Sequence, residues 1–72
     1  MDISVTITIA DSHLSRIDQV VARLEAAGLT TERVLRVTGI VIGSVAESNL
    51  SALRAVPGVA TVEEEVTTFG PQ

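Results

Sequence analysis

The stretch that decides the fold is the first strand, Ile3-Ser4-Val5-Thr6-Ile7-Thr8-Ile9-Ala10. Its large apolar residues alternate with small residues that mostly carry hydroxyl groups. A period of two with β-branched side chains predicts a strand with one buried face. The other face, which carries Ser4, Thr6 and Thr8, should therefore point to solvent or to a partner.

The residues after this strand change to a helical period. Apolar side chains recur three and four positions apart, at Leu14, Ile17, Val20, Val21 and Leu24. This spacing predicts a helix over about residues 12–27 that packs one side on the core. Asp11 and Ser12 are candidate N-caps, and Gly28 is a candidate C-cap in the left-handed conformation.

The second half of the chain repeats the pattern of strand, helix and strand. Residues 31–38 and 40–46 predict two strands joined at Gly39. Ser48 and Asn49 are candidate caps of a short second helix that buries Leu50, Leu53 and Val56 and ends at the Pro57-Gly58 pair. Residues 59–66 predict the last strand, with a bulge or loop position at Val59, because Val59 and Val62 would otherwise lie on opposite faces.

The order β-α-β-β-α-β predicts an α+β, ferredoxin-like sandwich with a four-stranded antiparallel sheet. Both helices should cover one face of the sheet and leave the other face open. Residues 1–66 form this domain, and residues 67–72 are expected to be an extended tail.

The composition excludes several classes of function. The chain of 72 residues has no Cys and no Lys, since its five basic residues are all Arg. It has one His, His13. Thiolate nucleophiles, Schiff-base lysines and paired His ligands are therefore excluded, and we expect no enzyme activity, no cofactor and no metal site. His13 is expected to be solvated beside the helix cap, and no serine is expected to have an activating base.

The charge and hydropathy of the sequence limit the classes of partner and the cellular location that we expect. A net charge of −4 and a single aromatic residue argue against nucleic acid. No apolar run approaches the roughly 20 residues that span a bilayer. The first residues lack the pattern of a secretory signal, so we expect a cytoplasmic protein.

Two segments are candidate binding elements. In the run Glu63-Glu64-Glu65, a strand would direct Glu63 and Glu65 to one face and Glu64 to the other. These acids could receive the helix N-termini of a partner, or they could simply protect an edge strand from aggregation. The tail Phe69-Gly70-Pro71-Gln72 could bind as an extended peptide, or Phe69 could fold back on the core, or the terminus could be frayed.

Residues 48–65 resemble the C-terminal half of subtilisin-type propeptides, the inhibitor I9 family. The segment combines a short helix with leucines at Leu50 and Leu53, then Pro57, then Val59 and Ala60, and ends with the sequence Val62-Glu63-Glu64-Glu65. In that family the pattern is Leu-x-x-Leu-x-x-x-Pro followed by Val-Ala-x-Val-Glu-x-Asp/Glu. Residues 1–47 match in pattern only.

The resemblance implies a stand-alone inhibitor, or folding assistant, that acts in trans on a subtilisin-like serine protease. It implies that the open sheet face packs on two helices of the protease, and that Glu63 and Glu65 cap those helices. It also implies that the chain end lies in the substrate cleft like a product, with Gln72 in the primary pocket and Phe69 in the fourth subsite. On this interpretation the protein is a monomer.

An alternative from a different class remains open. A ferredoxin-like module similar to an ACT domain would self-associate through its open face or an edge strand. Such a module would bind a small metabolite between its subunits.

Overall fold

A computed structural model describes residues 2–65 of the chain. The strands are β1 (Asp2–Ile9), β2 (Thr30–Leu35), β3 (Ile40–Ala46) and β4 (Val59–Glu65). The helices are α1 (Ile17–Ala26) and α2 (Leu50–Arg54), each preceded by a 3₁₀ turn, Asp11–Arg16 and Glu47–Asn49 respectively. The tail, residues 67–72, and Val66 lie outside the described residues.

The strands form one four-stranded sheet in the order β2-β3-β1-β4, and all neighbouring strands are antiparallel. Each crossover through a helix therefore skips one strand, since β3 lies between β1 and β2, and β1 lies between β3 and β4. This split β-α-β arrangement confirms the predicted ferredoxin-like fold. It also makes β2 and β4 the two edges of the sheet.

The core lies between the sheet and the two helices. Val5 and Ile7 of β1, Leu24 of α1, Val41 of β3 and Leu53 of α2 are completely buried. Leu50 and Val56 are also buried, as the helical spacing predicts. The strict alternation of β1 is confirmed, because Val5, Ile7 and Ile9 are buried while Ser4 is exposed and Thr6 and Thr8 are half-buried.

The first helix differs from the prediction at its start. Residues Asp11–Arg16 form a 3₁₀ turn, and neither this turn nor α1 has a side-chain cap. The predicted caps, Asp11 and Ser12, are wrong because both lie inside the 3₁₀ turn, one or two positions beyond its N-cap, Ala10. Turns of this type are frequent at helix N-termini.

The predicted end of the helix is confirmed. Gly28 has a φ of 112° and its amide donates to the Glu25 carbonyl at 3.0 Å. The Leu29 amide donates to the Leu24 carbonyl at 3.0 Å. This pair of bonds is a Schellman motif, and the buried side chains of Leu24 and Leu29 supply its usual apolar partners.

The strand predicted over residues 31–38 was too long. β2 ends at Leu35, and the Gly39 amide donates to the Leu35 carbonyl at 2.8 Å, so residues 36–39 form a turn. Thr38 reinforces this turn, since its hydroxyl also donates to the Leu35 carbonyl, at 3.3 Å. Val37 is 97% exposed, which shows that the apparent alternation past Leu35 does not report a buried face.

The predicted irregularity near Val59 is confirmed. Thr8 pairs with Thr61 while Ile9 pairs with Val59, so Ala60 is an extra residue in β4. Because of this bulge, Val59 and Val62 both pack against the core.

The second helix is shorter than predicted: α2 ends at Arg54, and Ser48 and Asn49 lie in the preceding 3₁₀ turn without a side-chain cap. Pro57 and Gly58 instead form the turn before β4, in which the Val59 amide donates to the Val56 carbonyl at 3.2 Å and Gly58 has a φ of 97°.

Candidate docking surface

The two helices leave one side of the sheet uncovered, and we call this side the open face. Residues that are directly opposite on neighbouring strands point to the same side, so the strand register defines its members. They form three rows across the sheet: Thr30, Ser44, Ser4 and Glu65; Arg33, Ile42, Thr6 and Glu63; Leu35, Ile40, Thr8 and Thr61.

Ser4, Thr6 and Thr8 lie on the open face, as the alternation of β1 predicts. The apolar part of this face was not predicted from the sequence. Ile40 and Ile42 are only half-buried, and Leu35 is 38% exposed. A strand with apolar residues on both sides, as in Ile40-Val41-Ile42, was the available signal.

The three consecutive acids of β4 separate as the period of two predicts. Glu63 lies opposite Thr6 and Glu65 lies opposite Ser4, which places both on the open face. The Thr6 hydroxyl donates to Oε1 of Glu65 at 3.3 Å. Both acids are exposed and lie on an edge strand, so they are accessible to a partner and also in the position where charges commonly discourage edge-to-edge pairing.

Glu64 has a different environment. It lies opposite Val5, on the side of the helices, and accepts a hydrogen bond from the Arg54 guanidinium of α2 at 3.2 Å. The two side chains are 36% and 51% exposed, so this ion pair is partly solvated. The sequence did not reveal this pairing, because it depends on α2 packing beside β4. Glu64 therefore has an internal partner, whereas residues 2–65 contain no cation paired with Glu63 or Glu65.

An open depression beside these acids continues from the open face around the edge of the sheet. Its lining consists of Thr6, Arg54, Val62 and the three glutamates. Because Arg54 pairs with Glu64, the carboxylates of Glu63 and Glu65 give the depression a net negative charge. Its chemistry suits a cationic or amide-rich group of a partner.

His13 is half-buried, not solvated as predicted. Its ring lies against Gly58, where a Cβ added to the glycine would come within 3.0 Å of two ring carbons. The Ser12 hydroxyl lies 3.0 Å from Nδ1 of His13, and the tautomer of the ring decides which of the two groups donates. Within residues 2–65 no carboxylate hydrogen-bonds to this ring, so the third member of a catalytic triad is not in place there.

Three further expectations concern the tail, metal sites and membrane-spanning segments. The tail Phe69-Gly70-Pro71-Gln72 lies outside the described residues. Residues 2–65 contain no group of three His, Cys, Asp or Glu that could hold a metal ion. Among the same residues, no helix is long and apolar enough to cross a membrane.

Comparisons with known proteins return no match. No family model matches the chain, and neither the search of curated proteins nor that of solved structures finds a significant relative.

Proposed function

We propose that this protein is an inhibitor, in trans, of a subtilisin-like serine protease, and that it acts as a monomer. The observation that carries the proposal is the division of the β4 acids. Glu63 and Glu65 lie on the open face without a cationic partner in residues 2–65, while Glu64 turns away to Arg54. This is the arrangement that the resemblance to the I9 propeptides calls for.

The chemistry of the open face supports docking on helices. A helix N-terminus leaves amide groups without partners and carries about half a positive charge. Two carboxylates on alternate residues of one strand lie about 7 Å apart along it, so each can approach a different helix. The half-buried Ile40 and Ile42 supply apolar area beside these acids.

The tail adds the second half of the mechanism. A segment that follows β4 directly is tethered to the docked domain, so it reaches the substrate cleft at a high effective concentration. Phe69 is the aromatic anchor for an apolar subsite, and Pro71 lowers the entropy that ordering the tail costs. A product-like peptide that binds weakly alone is then held by the folded domain.

The test is a titration of a subtilisin with the intact protein and with a form that lacks residues 69–72. The intact protein should inhibit stoichiometrically or with slow, tight kinetics, and the shortened form should inhibit much more weakly. Equal inhibition by both forms would remove the tail from the mechanism. No inhibition by the intact protein, together with a tight dimer that binds an amino acid, would favour the metabolite-binding alternative.

A further inference from the structure

The open face carries opposite charges at its two edges. Arg33 of β2 lies opposite Ile42 of β3, and Glu63 of β4 lies opposite Thr6 of β1. Since Ile42 and Thr6 are themselves paired, the four residues form one continuous row. Neighbouring strands are about 4.8 Å apart, so about 14 Å separates the Cα atoms of Arg33 and Glu63.

A β-bulge directs Arg33 onto this face. Thr31 pairs with Gly43 on the helix side, and two residues later Arg33 would point the same way in a regular strand. The register shifts between Thr31 and Arg33, so Glu32 is an extra residue and Arg33 instead pairs with Ile42. Bulges commonly re-aim a side chain in this way.

Gly43 of β3, which lies opposite the bulge, allows the two strands to approach closely. Gly43 is buried, and a Cβ added there would collide with the backbone carbonyl of Thr30. The close approach of the two strands at this point therefore requires a residue without a side chain.

Arg33 is available to a partner. It is exposed, and the ion pairs formed within residues 2–65 engage other arginines, Arg36 with Asp18 and Arg54 with Glu64. Glu32 lines the same shallow depression as Arg33 and Ile42, but forms no ion pair with Arg33.

We propose that Arg33 is a cationic contact of the docking surface, in addition to the acidic contacts Glu63 and Glu65, and that it binds an acidic group on the protease. This inference rests on the proposed function and adds to it a requirement on the partner. The protease surface must be positive or amide-rich where it meets Glu63 and acidic where it meets Arg33 at the opposite edge of the sheet, with apolar side chains between. The two contacts also fix the orientation of docking, because a partner turned by half a rotation would bring like charges together.

A second copy of the chain is a weaker candidate for this face. A two-fold axis parallel to the strands would place Arg33 of each copy over Glu63 of the other. However, both copies carry a net charge of −4 and repel each other.

The experiment compares Arg33→Glu with Arg16→Glu. Both variants make the same change in net charge, but Arg16 is an exposed residue beside α1, in the helix layer. Inhibition constants against a subtilisin are measured at low and high salt, with thermal unfolding as a check on the fold. Arg33→Glu should raise the inhibition constant about three- to tenfold at low salt and less at high salt, while Arg16→Glu changes it less than about twofold.

The outcomes separate this inference from the proposed function. If the wild-type protein inhibits but the two variants behave alike, the role of Arg33 is overturned and the proposed function stands. If the wild-type protein does not inhibit, both fail. If Arg33→Glu leaves inhibition unchanged but dissociates a dimer in sedimentation, the face serves a second copy of the chain and the proposal is overturned.

Discussion

Replacing Glu63 and Glu65 together by glutamine should weaken protease inhibition and leave the fold intact. Both side chains are exposed on an edge strand, and their replacement should change the free energy of unfolding by no more than about 0.5 kcal/mol. Glutamine retains a side-chain oxygen, so the hydrogen bond that Thr6 donates to residue 65 can persist. The substitution therefore removes charge with little change in shape.

The expected loss of affinity follows from the interaction of a carboxylate with a helix N-terminus. Each contact contributes about 0.3–1 kcal/mol when it is exposed and up to about 2 kcal/mol when it is desolvated. Two contacts together contribute about 0.6–4 kcal/mol, which corresponds to an inhibition constant raised by about threefold to several hundredfold. A value near the upper limit would mean that docking excludes water from both acids.

Glu64→Gln is the matched control for the single changes Glu63→Gln and Glu65→Gln, because each of the three removes one negative charge from β4. This variant breaks the partly solvated pair with Arg54 and should cost about 0.2–1 kcal/mol of folding stability without weakening inhibition. The assay is the inhibition constant from progress curves with a chromogenic peptide, alongside thermal unfolding of each variant. Equal loss of inhibition from Glu64→Gln, or a loss that merely follows the melting temperature, would refute docking through the open face.

Three further predictions concern the fold and its state of association. Gly58→Ala should lower the free energy of unfolding by about 1–3 kcal/mol in a urea titration, because of the positive φ and a Cβ that would lie 2.8 Å from Val20. The additional change His13→Ala should recover part of that loss by removing the ring from the turn; no recovery would assign the loss to backbone strain and the contact with Val20. Leu53→Ala should cost about 2–5 kcal/mol, since Leu53 is completely buried, whereas Ser51→Ala on the exposed side of α2 should change stability by less than about 0.5 kcal/mol. Sedimentation at micromolar concentrations should show a monomer, and a tight dimer would contradict the proposed mode of action.

Much of the fold could be predicted because its signals are local. The alternation of β1 reports which side of the strand is buried, and the spacing of Leu14, Ile17 and Val20 reports a helix face. The end of α1 at Gly28 follows from a left-handed backbone conformation that few other residues adopt, whereas α2 ends at Arg54, before the Pro57-Gly58 turn that was expected to end it. The errors also have local causes: the 3₁₀ turn took Asp11 and Ser12 out of the capping position, and the Gly39 turn closed on Leu35 before the alternating sequence had ended.

The candidate site was predicted less completely. The period of two correctly separated Glu63 and Glu65 from Glu64, and the role of the separated pair remains a prediction. Nothing near Arg33 in the sequence indicated that it shares a row with Glu63, since the two residues belong to opposite edges of the sheet. Arg54 likewise meets Glu64 only because α2 packs beside β4.

By itself, the sequence determined the element order, the class of fold and the side of each regular strand that is buried, because hydrophobic periodicity is a property of neighbouring residues. Tertiary structure alone decided how the strands align. The bulge at Glu32 and the pairing of four strands bring Arg33, Ile42, Thr6 and Glu63 into one row. That alignment depends on hydrogen bonds between segments far apart in the chain, and a shift of one residue in any strand would turn its side chains to the other face.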